Sequence, residues 1–169
     1  DNSPVGIVFV RNRTIEWVNR RALEMFGISI EQCQGASSRI LYPDDKTYER
    51  LGSEIYPLLT QGKKATFELE THRGDGSALW CRMDGKALDA SHIEEGVILI
   101  VEDITERKKE RESLLRTQFA MDRALDSILW VDEKGGIAYA NESACTSLGY
   151  TRDELLTMTV FDIAPDFPP

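Results

Sequence analysis

The stretch VILIVEDITERKK, residues 97–109, joins a run of apolar residues directly to a run of charged residues. The segment Gly96–Glu102 is rich in β-branched residues and has the length of a buried strand. No Gly or Pro follows it, and Asp103 and Glu106 stand at the spacing of a capping box, in which each side chain bonds the other's backbone N–H. We therefore predict that Asp103 both ends the last strand of a sheet and begins a helix.

A charged helix is predicted directly after this strand. The segment Thr105–Leu125 contains no Gly or Pro and consists mostly of residues that favour helices. Its apolar residues follow two helical registers, one through Leu115 and one through Leu114 and Met121, and neither forms a continuous apolar seam. The segment is therefore either a solvated connector or a weakly pairing helix of a parallel dimer.

The residues before this strand predict a hairpin, several helices and a meander. Asn19, Ser29 and Asp44 are suited to start helices, because their side-chain oxygens can accept the free N–H groups of a first turn. Apolar and polar residues alternate on both sides of the turn GDGS, residues 74–77, as in a β-hairpin. In chain order we predict strands Val5–Val10 and Thr14–Val18, helices Arg20–Phe26 and Lys46–Thr60 with a short helix between them, and strands Thr66–Thr71, Leu79–Met83 and Gly96–Glu102. This order indicates an α+β fold with an antiparallel sheet.

The sequence from Ser127 to Leu155 repeats the pattern of residues 6–33. Identical residues recur at constant spacing: Ile15 and Ile137, Asn19 and Asn141, Ala22 and Ala144, Gly27 and Gly149, Pro43 and Pro165, and Asp44 and Asp166. The second copy has no counterpart of the meander. We therefore divide the chain into a complete domain at residues 1–104, a linker helix at 105–125 and the N-terminal part of a second domain at 126–169.

Composition and missing motifs argue against several classes of function. The formal charge is −9 and the basic residues form no extended cluster, which argues against nucleic-acid binding. Cys33, Cys81 and Cys145 match no disulfide or metal pattern and indicate free thiols in a reducing compartment. No apolar run is long enough to span a membrane, and no nucleophile, phosphate-loop or metal motif indicates an enzyme.

The motifs of the chain resemble those of PAS sensor domains. The resemblance rests on WVN followed by A-x-x-x-F-G (Trp17–Gly27), I-E-Q-x-x-G (Ile30–Gly35), YPDD (Tyr42–Asp45), GDGSALW (Gly74–Trp80) and, most specifically, VEDITERK (Val101–Lys108). It covers one complete domain up to Lys109 and the first third of a second. It implies the PAS fold, a five-stranded antiparallel sheet with helices on one face, here followed by a C-terminal linker helix.

The resemblance also implies a role in signal transduction. PAS domains occur mainly in multidomain cytosolic signalling proteins, where they dimerise, bind small ligands and act on an output such as a histidine kinase or a diguanylate cyclase. We therefore expect a non-catalytic sensory and dimerisation module of a bacterial two-component sensor histidine kinase, either cytoplasmic or the cytosolic part of a membrane-attached sensor. The alternatives are a diguanylate cyclase and a structural spacer without a ligand. The signal relay would comprise Asp103, Ile104, Thr105 and Glu106.

Two cofactor classes known in the family do not fit the residues. By the resemblance, the reactive Cys of flavin domains falls at Ser38, and the flavin-binding amides fall at Thr71, Cys81 and Val101, none of which is Asn or Gln. The segment Lys46–Thr60 has no His to ligate a haem iron. These residues argue against flavin and haem and leave the cofactor unknown, and no metal site is expected.

The residues on the sheet face toward the helices are almost all apolar. This pattern predicts either a filled core or a small apolar pocket. The candidate lining comprises Val8, Val10, Ser38, Leu41, Phe67, Leu69, Thr71, Cys81, Met83, Val97, Leu99 and Val101. Ser38, Thr71 and Cys81 would supply the polar contacts to a small apolar ligand. The outer face carries Trp80, Arg82, Ile98 and Ile100 with Ile7 and Phe9. We expect a homodimer formed through this face, the N-terminal segment or the linker helix.

Overall fold

The chain divides into two structural units, residues 1–108 and residues 109–169. A computed structural model describes residues 4–164. Pro165 and Asp166, which the repeat pairs with Pro43 and Asp44, lie outside the described residues, as do the first three positions of the predicted first domain.

The first unit begins with a hairpin that has a two-residue turn. Strands β1 (Gly6–Arg11) and β2 (Thr14–Val18) pair antiparallel. Both turn residues have positive φ, 49° at Asn12 and 63° at Arg13. This is the type I′ turn, whose twist matches that of paired strands. Asn tolerates the conformation, whereas an Arg there costs on the order of 1–2 kcal/mol relative to Gly.

Four helical segments follow the hairpin and begin at short polar side chains. They are α1 (Arg20–Phe26), α2 (Ile30–Cys33), a 3-10 helix (Ser38–Leu41) and α3 (Asp45–Leu59). The predicted caps of α1, α2 and α3 are confirmed: Asn19, Ser29 and Asp44 accept the backbone N–H groups of Ala22, Gln32 and Thr47. Each cap removes unpaired donors at the start of a helix.

Three strands complete the sheet as a meander. They are β3 (Ala65–His72), β4 (Ala78–Ala87) and β5 (Val97–Asp103), with a 3-10 turn at Ile93–Glu95 between the last two. The strand order is β2-β1-β5-β4-β3, and all neighbours are antiparallel. This confirms the predicted five-stranded α+β fold. Strand β4 extends beyond the predicted Met83, because Asp84, Gly85 and Lys86 pair with β5 despite their low strand propensity.

Alternation along the strands separates a buried face from an exposed face. The strand residues predicted to face the helices are buried, except Phe67, which is half-buried. Val8, Cys81, Met83 and Val101 are 0% exposed and belong to one core with the apolar residues of the helices. On the other face Ile100, in the middle strand of the sheet, is 42% exposed.

The linker helix α4 (Thr105–Asp122) begins one residue after β5 ends. Leu114, Leu115 and Phe119 are exposed on it. Leu115 and Phe119 stand four positions apart, so they share one face of the helix. Within residues 4–164, this surface of α4 therefore presents apolar side chains to solvent.

The second unit repeats the first hairpin and the first helices. Its elements after α4 are β6 (Leu129–Val131), β7 (Ile137–Ala140), α5 (Glu142–Leu148), α6 (Arg152–Leu155) and α7 (Val160–Ile163). Asn141 caps α5, Gly149 ends it with a φ of 77°, and Thr151 forms a capping box with Glu154. The signals that begin and end helices in the first unit therefore recur at the positions that the repeat predicts.

Asn141 connects three parts of the second unit through its side chain. It is 0% exposed. Its Oδ1 accepts the N–H groups of Ile128 and Ala144, each at 2.9 Å. Its Nδ2 donates to three carbonyls at and after the end of α4: Met121 at 3.1 Å, Ala124 at 3.4 Å and Asp126 at 2.9 Å. The end of α4 is thus bonded to the start of α5 through one amide.

Candidate ligand cavity and strand-to-helix joint

A cavity of about 150 Å³ lies between α3 and the inner face of the sheet. Its wall is mostly apolar, with aromatic and polar side chains from α3 and from the hairpin turn. The lining residues are Val10, Asn12, Arg13, Ser38, Tyr42, Tyr48, Gly52, Ile55, Tyr56, Leu59, Phe67, Ile93, Glu94, Val97 and Leu99. A cavity of this volume accommodates a ligand about the size of benzene.

The structure divides the predicted lining residues between this cavity and the packed core. Val10, Ser38, Phe67, Val97 and Leu99 line the cavity. The others lie in the buried interior away from it: Val8, Leu41, Leu69, Thr71, Cys81, Met83 and Val101. The inner face is therefore filled over much of its area and open beside α3.

Cys81 belongs to the filled part of this interior. Its Sγ lies 3.8 Å from the carbonyl oxygen of Leu69, to which it donates a weak hydrogen bond. Burial, with a smaller contribution from the charge of Asp103, raises the pKa of Cys81 to about 12. The thiol is therefore protonated at neutral pH and behaves as a small apolar side chain.

Aromatic rings form one wall of the cavity. Tyr42 packs edge-on against Tyr48, with 5.0 Å between ring centroids, and stacks on Phe67 at 6.5 Å. The Tyr48 hydroxyl lies 3.1 Å from the Ser38 hydroxyl, and either can donate. Burial raises the pKa of Tyr42, so its hydroxyl is neutral at physiological pH. This aromatic part of the wall thus carries hydroxyl groups.

Arg13 brings a positive charge to the cavity from the hairpin turn. Its guanidinium carbon lies 5.0 Å from the ring centroid of Tyr48 and 5.7 Å from that of Tyr56, and Nη1 lies 2.7 Å from Oε1 of Glu49. Stacking on two rings and pairing with a carboxylate hold the guanidinium against α3. In the sequence Arg13 falls between the two predicted strands of the hairpin, and it was not among the candidate lining residues. The available signal was a bulky residue at a position where the turn favours Gly.

The joint between β5 and α4 consists of the predicted relay residues. Asp103, the last residue of β5, accepts the N–H of Thr105 at 2.9 Å through Oδ1 and pairs with Nη2 of Arg73 at 2.6 Å through Oδ2. Ile104, between strand and helix, is 2% exposed, and its N–H donates to the Trp80 carbonyl at 2.9 Å. The predicted reciprocal bonding of Asp103 with Glu106 stays a prediction.

The charge of Asp103 is favoured by its surroundings. Burial by itself would raise the pKa of Asp103, but hydrogen bonds from Arg73 and Thr105 outweigh it, so the pKa lies below its ordinary value. Arg73 also donates to the carbonyl of Met25 in α1. One guanidinium therefore connects the β3–β4 turn, helix α1 and the end of β5.

The first turn of α4 is bound to the neighbouring strands. Thr105 Oγ1 accepts the Trp80 N–H at 3.0 Å. Lys108 Nζ lies 2.6 Å from Oε2 of Glu68 and 4.7 Å from the centroid of the Trp80 ring. These contacts attach the start of the helix to β3 and β4 as well as to β5.

Residues 4–164 contain neither a metal-binding cluster nor a helix that could span a membrane. In that part of the chain, no three His, Cys, Asp or Glu side chains group closely enough to hold a metal ion. None of its helices combines the length and the apolar composition needed to cross a membrane.

Two family descriptions match the chain. Residues 1–109 match a family described as PAS fold, and residues 125–169 match one described as PAS domain. The two matches fall on the two copies of the repeat and together include most of the chain.

Among curated proteins, the chain is similar to the sensor protein TdiS of Thauera aromatica, with 33% identity over 113 residues. The matched part is 67% of this chain and 21% of that protein, so this chain spans about a fifth of the relative's length.

Solved PAS domains share the fold. One, from a LuxR-family transcriptional regulator of Burkholderia thailandensis, was solved in complex with ethanol; it has 28% identity and a TM-score of 0.57, and covers 62% of this chain and 92% of that one. Another, from Colwellia psychrerythraea, has 24% identity and a TM-score of 0.55, over 63% and 91% of the two chains.

Proposed function

The chain belongs to the PAS family, and from that premise we propose that it is a non-catalytic sensory and dimerisation region that transmits the state of its first domain to a downstream output. We propose that the full-length protein is a two-component sensor histidine kinase. The similarity to a curated sensor protein supports a signalling role, and the kinase output is our inference from it.

The observation that carries this proposal is the one-residue joint between β5 and α4. Ile104 is buried, and Asp103 and Thr105 on either side of it bond to different strands or turns of the sheet. A joint fixed on both sides has no flexible segment to absorb motion. A shift of β5 would therefore move the start of α4, which is how a two-state element transmits a population shift.

The input would be a small molecule in the cavity beside α3. The cavity contacts β5 through Val97 and Leu99, so an occupant would touch the strand that ends at Asp103. The related domain from Burkholderia thailandensis was solved with ethanol, a small molecule with a hydroxyl group, which supports a ligand of this scale. The volume of about 150 Å³ is small for a flavin or a haem.

A structural spacer without a ligand is the second candidate, and the packed part of the interior favours it. Val8, Cys81, Met83 and Val101 leave no room on most of the inner face. In a spacer, occupancy of the cavity beside α3 would have no effect on output.

Dimerisation is proposed to use the outer sheet face, the N-terminal segment or the linker helix. Ile100 is exposed in the middle strand, and Leu115 and Phe119 are exposed on one face of α4. Apolar side chains in such positions are the ordinary composition of a contact surface.

The test is a break in the joint. In the full-length protein we would insert Gly-Gly after Asp103 and, as a matched control, after Lys63 in the exposed loop between α3 and β3, which contributes no residue to the cavity lining. We expect the first insertion to leave the domain folded but to abolish the response of output activity to its signal, and the second to preserve the response. An unchanged response after the first insertion would refute the relay, and a histidine kinase assay on the same protein decides the output.

A further inference from the structure

We propose that the ligand of the cavity beside α3 is a small monocarboxylate, and that its carboxylate takes the place of Glu49 on the guanidinium of Arg13. The inference rests on the proposed sensory function, because it names the ligand class of that same cavity. It differs from the apolar ligand that the sequence predicts, because the structure places a cation in the cavity wall.

The first reason is that two residues that are unfavourable for local structure, Arg13 in the turn and Gly52 in α3, both determine where the guanidinium lies. A two-residue turn with positive φ at both residues favours Gly at its second position, yet Arg13 occupies it with a φ of 63°. Gly52 lies inside α3 opposite the guanidinium, although Gly lowers helix stability. A Cβ at position 52 would lie 3.1 Å from Nη2 of Arg13. Arg13 does not stabilise the hairpin turn and Gly52 does not stabilise the helix. Their common effect is to place the charge of Arg13 beside α3.

The second reason is that hydrogen-bond donors and apolar surface form separate parts of the wall. Arg13, Ser38 and Tyr48 supply a guanidinium and two hydroxyl groups from the turn, the 3-10 helix and α3. Apolar side chains of the sheet and of α3, among them Val97, Leu99 and Ile55, form most of the remainder, which also includes Asn12 and Glu94. A ligand with a short hydrocarbon body and one carboxylate matches both parts, since an arginine fork fits a carboxylate in geometry as well as in charge.

The third reason is that the present partner of Arg13 can leave. The side chain of Glu49 is 63% exposed and that of Arg13 is 42% exposed, so their ion pair is of the weak, solvated kind. Glu49 can return to water at little cost when a ligand carboxylate binds. Glu94 also lines the cavity, and its negative charge disfavours a ligand with a second carboxylate that Arg13 could not pair. Binding would thereby exchange the ion pair between the hairpin and α3 for a contact with the ligand.

The test uses isovalerate and its uncharged amide, isovaleramide, which has nearly the same shape. Binding to the chain of residues 1–169 would be measured by calorimetry and by ligand-observed NMR at neutral pH. The variants are Arg13→Gln, Glu49→Gln and, as a matched control, Arg11→Gln, since Arg11 lies on the same hairpin and pairs with Glu16 outside the cavity. Circular dichroism would establish that each variant is folded.

We expect the acid to bind at least about tenfold more tightly than the amide, the size of effect of one charged hydrogen-bond pair. Arg13→Gln should remove this preference. Glu49→Gln should raise the affinity for the acid about two- to fivefold, because it removes the competing carboxylate. Arg11→Gln should change neither affinity.

Equal binding of acid and amide, an unaltered preference in Arg13→Gln, or no binding of either probe would overturn the carboxylate inference. Those outcomes leave the relay untouched, because the Gly-Gly insertion after Asp103 tests the relay without any probe. A response abolished by the insertion together with equal binding of the two probes would mean that a different ligand class drives the same relay.

Discussion

Nη2 of Arg13 packs against Gly52: a Cβ on Gly52 would be 3.1 Å from that nitrogen. The turn of the first hairpin and the middle of α3 therefore pack closely, with a long cation on one side and no side chain on the other. This contact sets one wall of the cavity, and it makes the conformation of the turn testable.

The conformation of the turn can be tested by two substitutions that remove the same contacts. Arg13→Gly and Arg13→Ala both lose the pairing with Glu49 and the contacts with the tyrosine rings, but only Ala must adopt a φ near 63° with a Cβ. We expect the Gly variant to be more stable than the Ala variant by about 1 kcal/mol. Urea denaturation measures the difference. Equal stabilities would show that the turn is not left-handed in solution.

The ion pair of Asp103 with Arg73 predicts a pH dependence. Because the pKa of Asp103 is lowered in the folded state, its stabilising effect is present above the ordinary pKa and is lost as the pH falls through the folded value. Asp103→Asn should therefore cost about 1–2 kcal/mol at pH 7. The gap between wild type and variant should narrow below about pH 4. Denaturation from pH 7 to pH 3 measures it, and a constant gap would contradict the ionic role.

The hydroxyl of Thr105 gives a third prediction. Thr105→Val keeps the shape of the side chain but leaves the Trp80 N–H without the acceptor that it has at 3.0 Å. We expect a loss of about 1–2 kcal/mol and faster hydrogen exchange of the Trp80 amide. Thr105→Ser retains the oxygen and should preserve protection of that amide. If the Val variant protects it equally well, the bond does not matter to the joint.

The two equivalent asparagines should respond differently to the same change. Asp at either position keeps the acceptor that caps a helix but loses the amide donor. At Asn141 that donor meets the carbonyls of Met121, Ala124 and Asp126, whereas at Asn19 it meets the Val5 carbonyl at 3.1 Å. We expect Asn141→Asp to destabilise its unit by about 2–3 kcal/mol and Asn19→Asp to cost about 1 kcal/mol. Hydrogen exchange read by mass spectrometry separates the units, and equal losses would count against this role of Asn141.

The proposed dimer surface is tested at Ile100. A carboxylate in the centre of an apolar interface is left without a partner, so Ile100→Glu should raise the dimer dissociation constant at least about tenfold. The matched control is Leu88→Glu, at a residue 55% exposed just beyond β4. Sedimentation velocity over a concentration series measures both. An unchanged dissociation constant in Ile100→Glu would show that the dimer contact lies elsewhere. Leu115 and Phe119 would then be the next residues to substitute.

Local signals in the sequence predicted the helix ends well. The caps at Asn19, Ser29 and Asp44 depend on hydrogen bonds within a few residues, so the pattern and the structure agree. The two faces of the sheet were also predictable, because alternate side chains of a strand point to opposite faces. The extension of β4 through Gly85 was not, since pairing with strands on both sides overrides its low propensity.

The cavity could be predicted only in part. An apolar face looks the same in sequence whether it is filled, as at Met83, or open, as at Leu99, because the difference depends on which helix residues pack against it. The charge of Arg13 was missed because its place in the wall depends on a turn conformation and on the absent side chain of Gly52, which are far apart in the chain.

The single residue between β5 and α4 also fixes an angular phase. An α-helix turns by about 100° and rises about 1.5 Å for each residue. Because only Ile104 separates β5 from α4, no flexible segment lets the rotation or the height of the first helical residues vary. The direction in which residues 105–108, the first turn of α4, face is therefore set by their distance in sequence from Asp103. One helical residue added before this turn would rotate it by more than a quarter turn relative to β5, whereas seven would nearly restore its orientation. The number of residues between β5 and α4 therefore determines the direction in which the first turn of the helix faces.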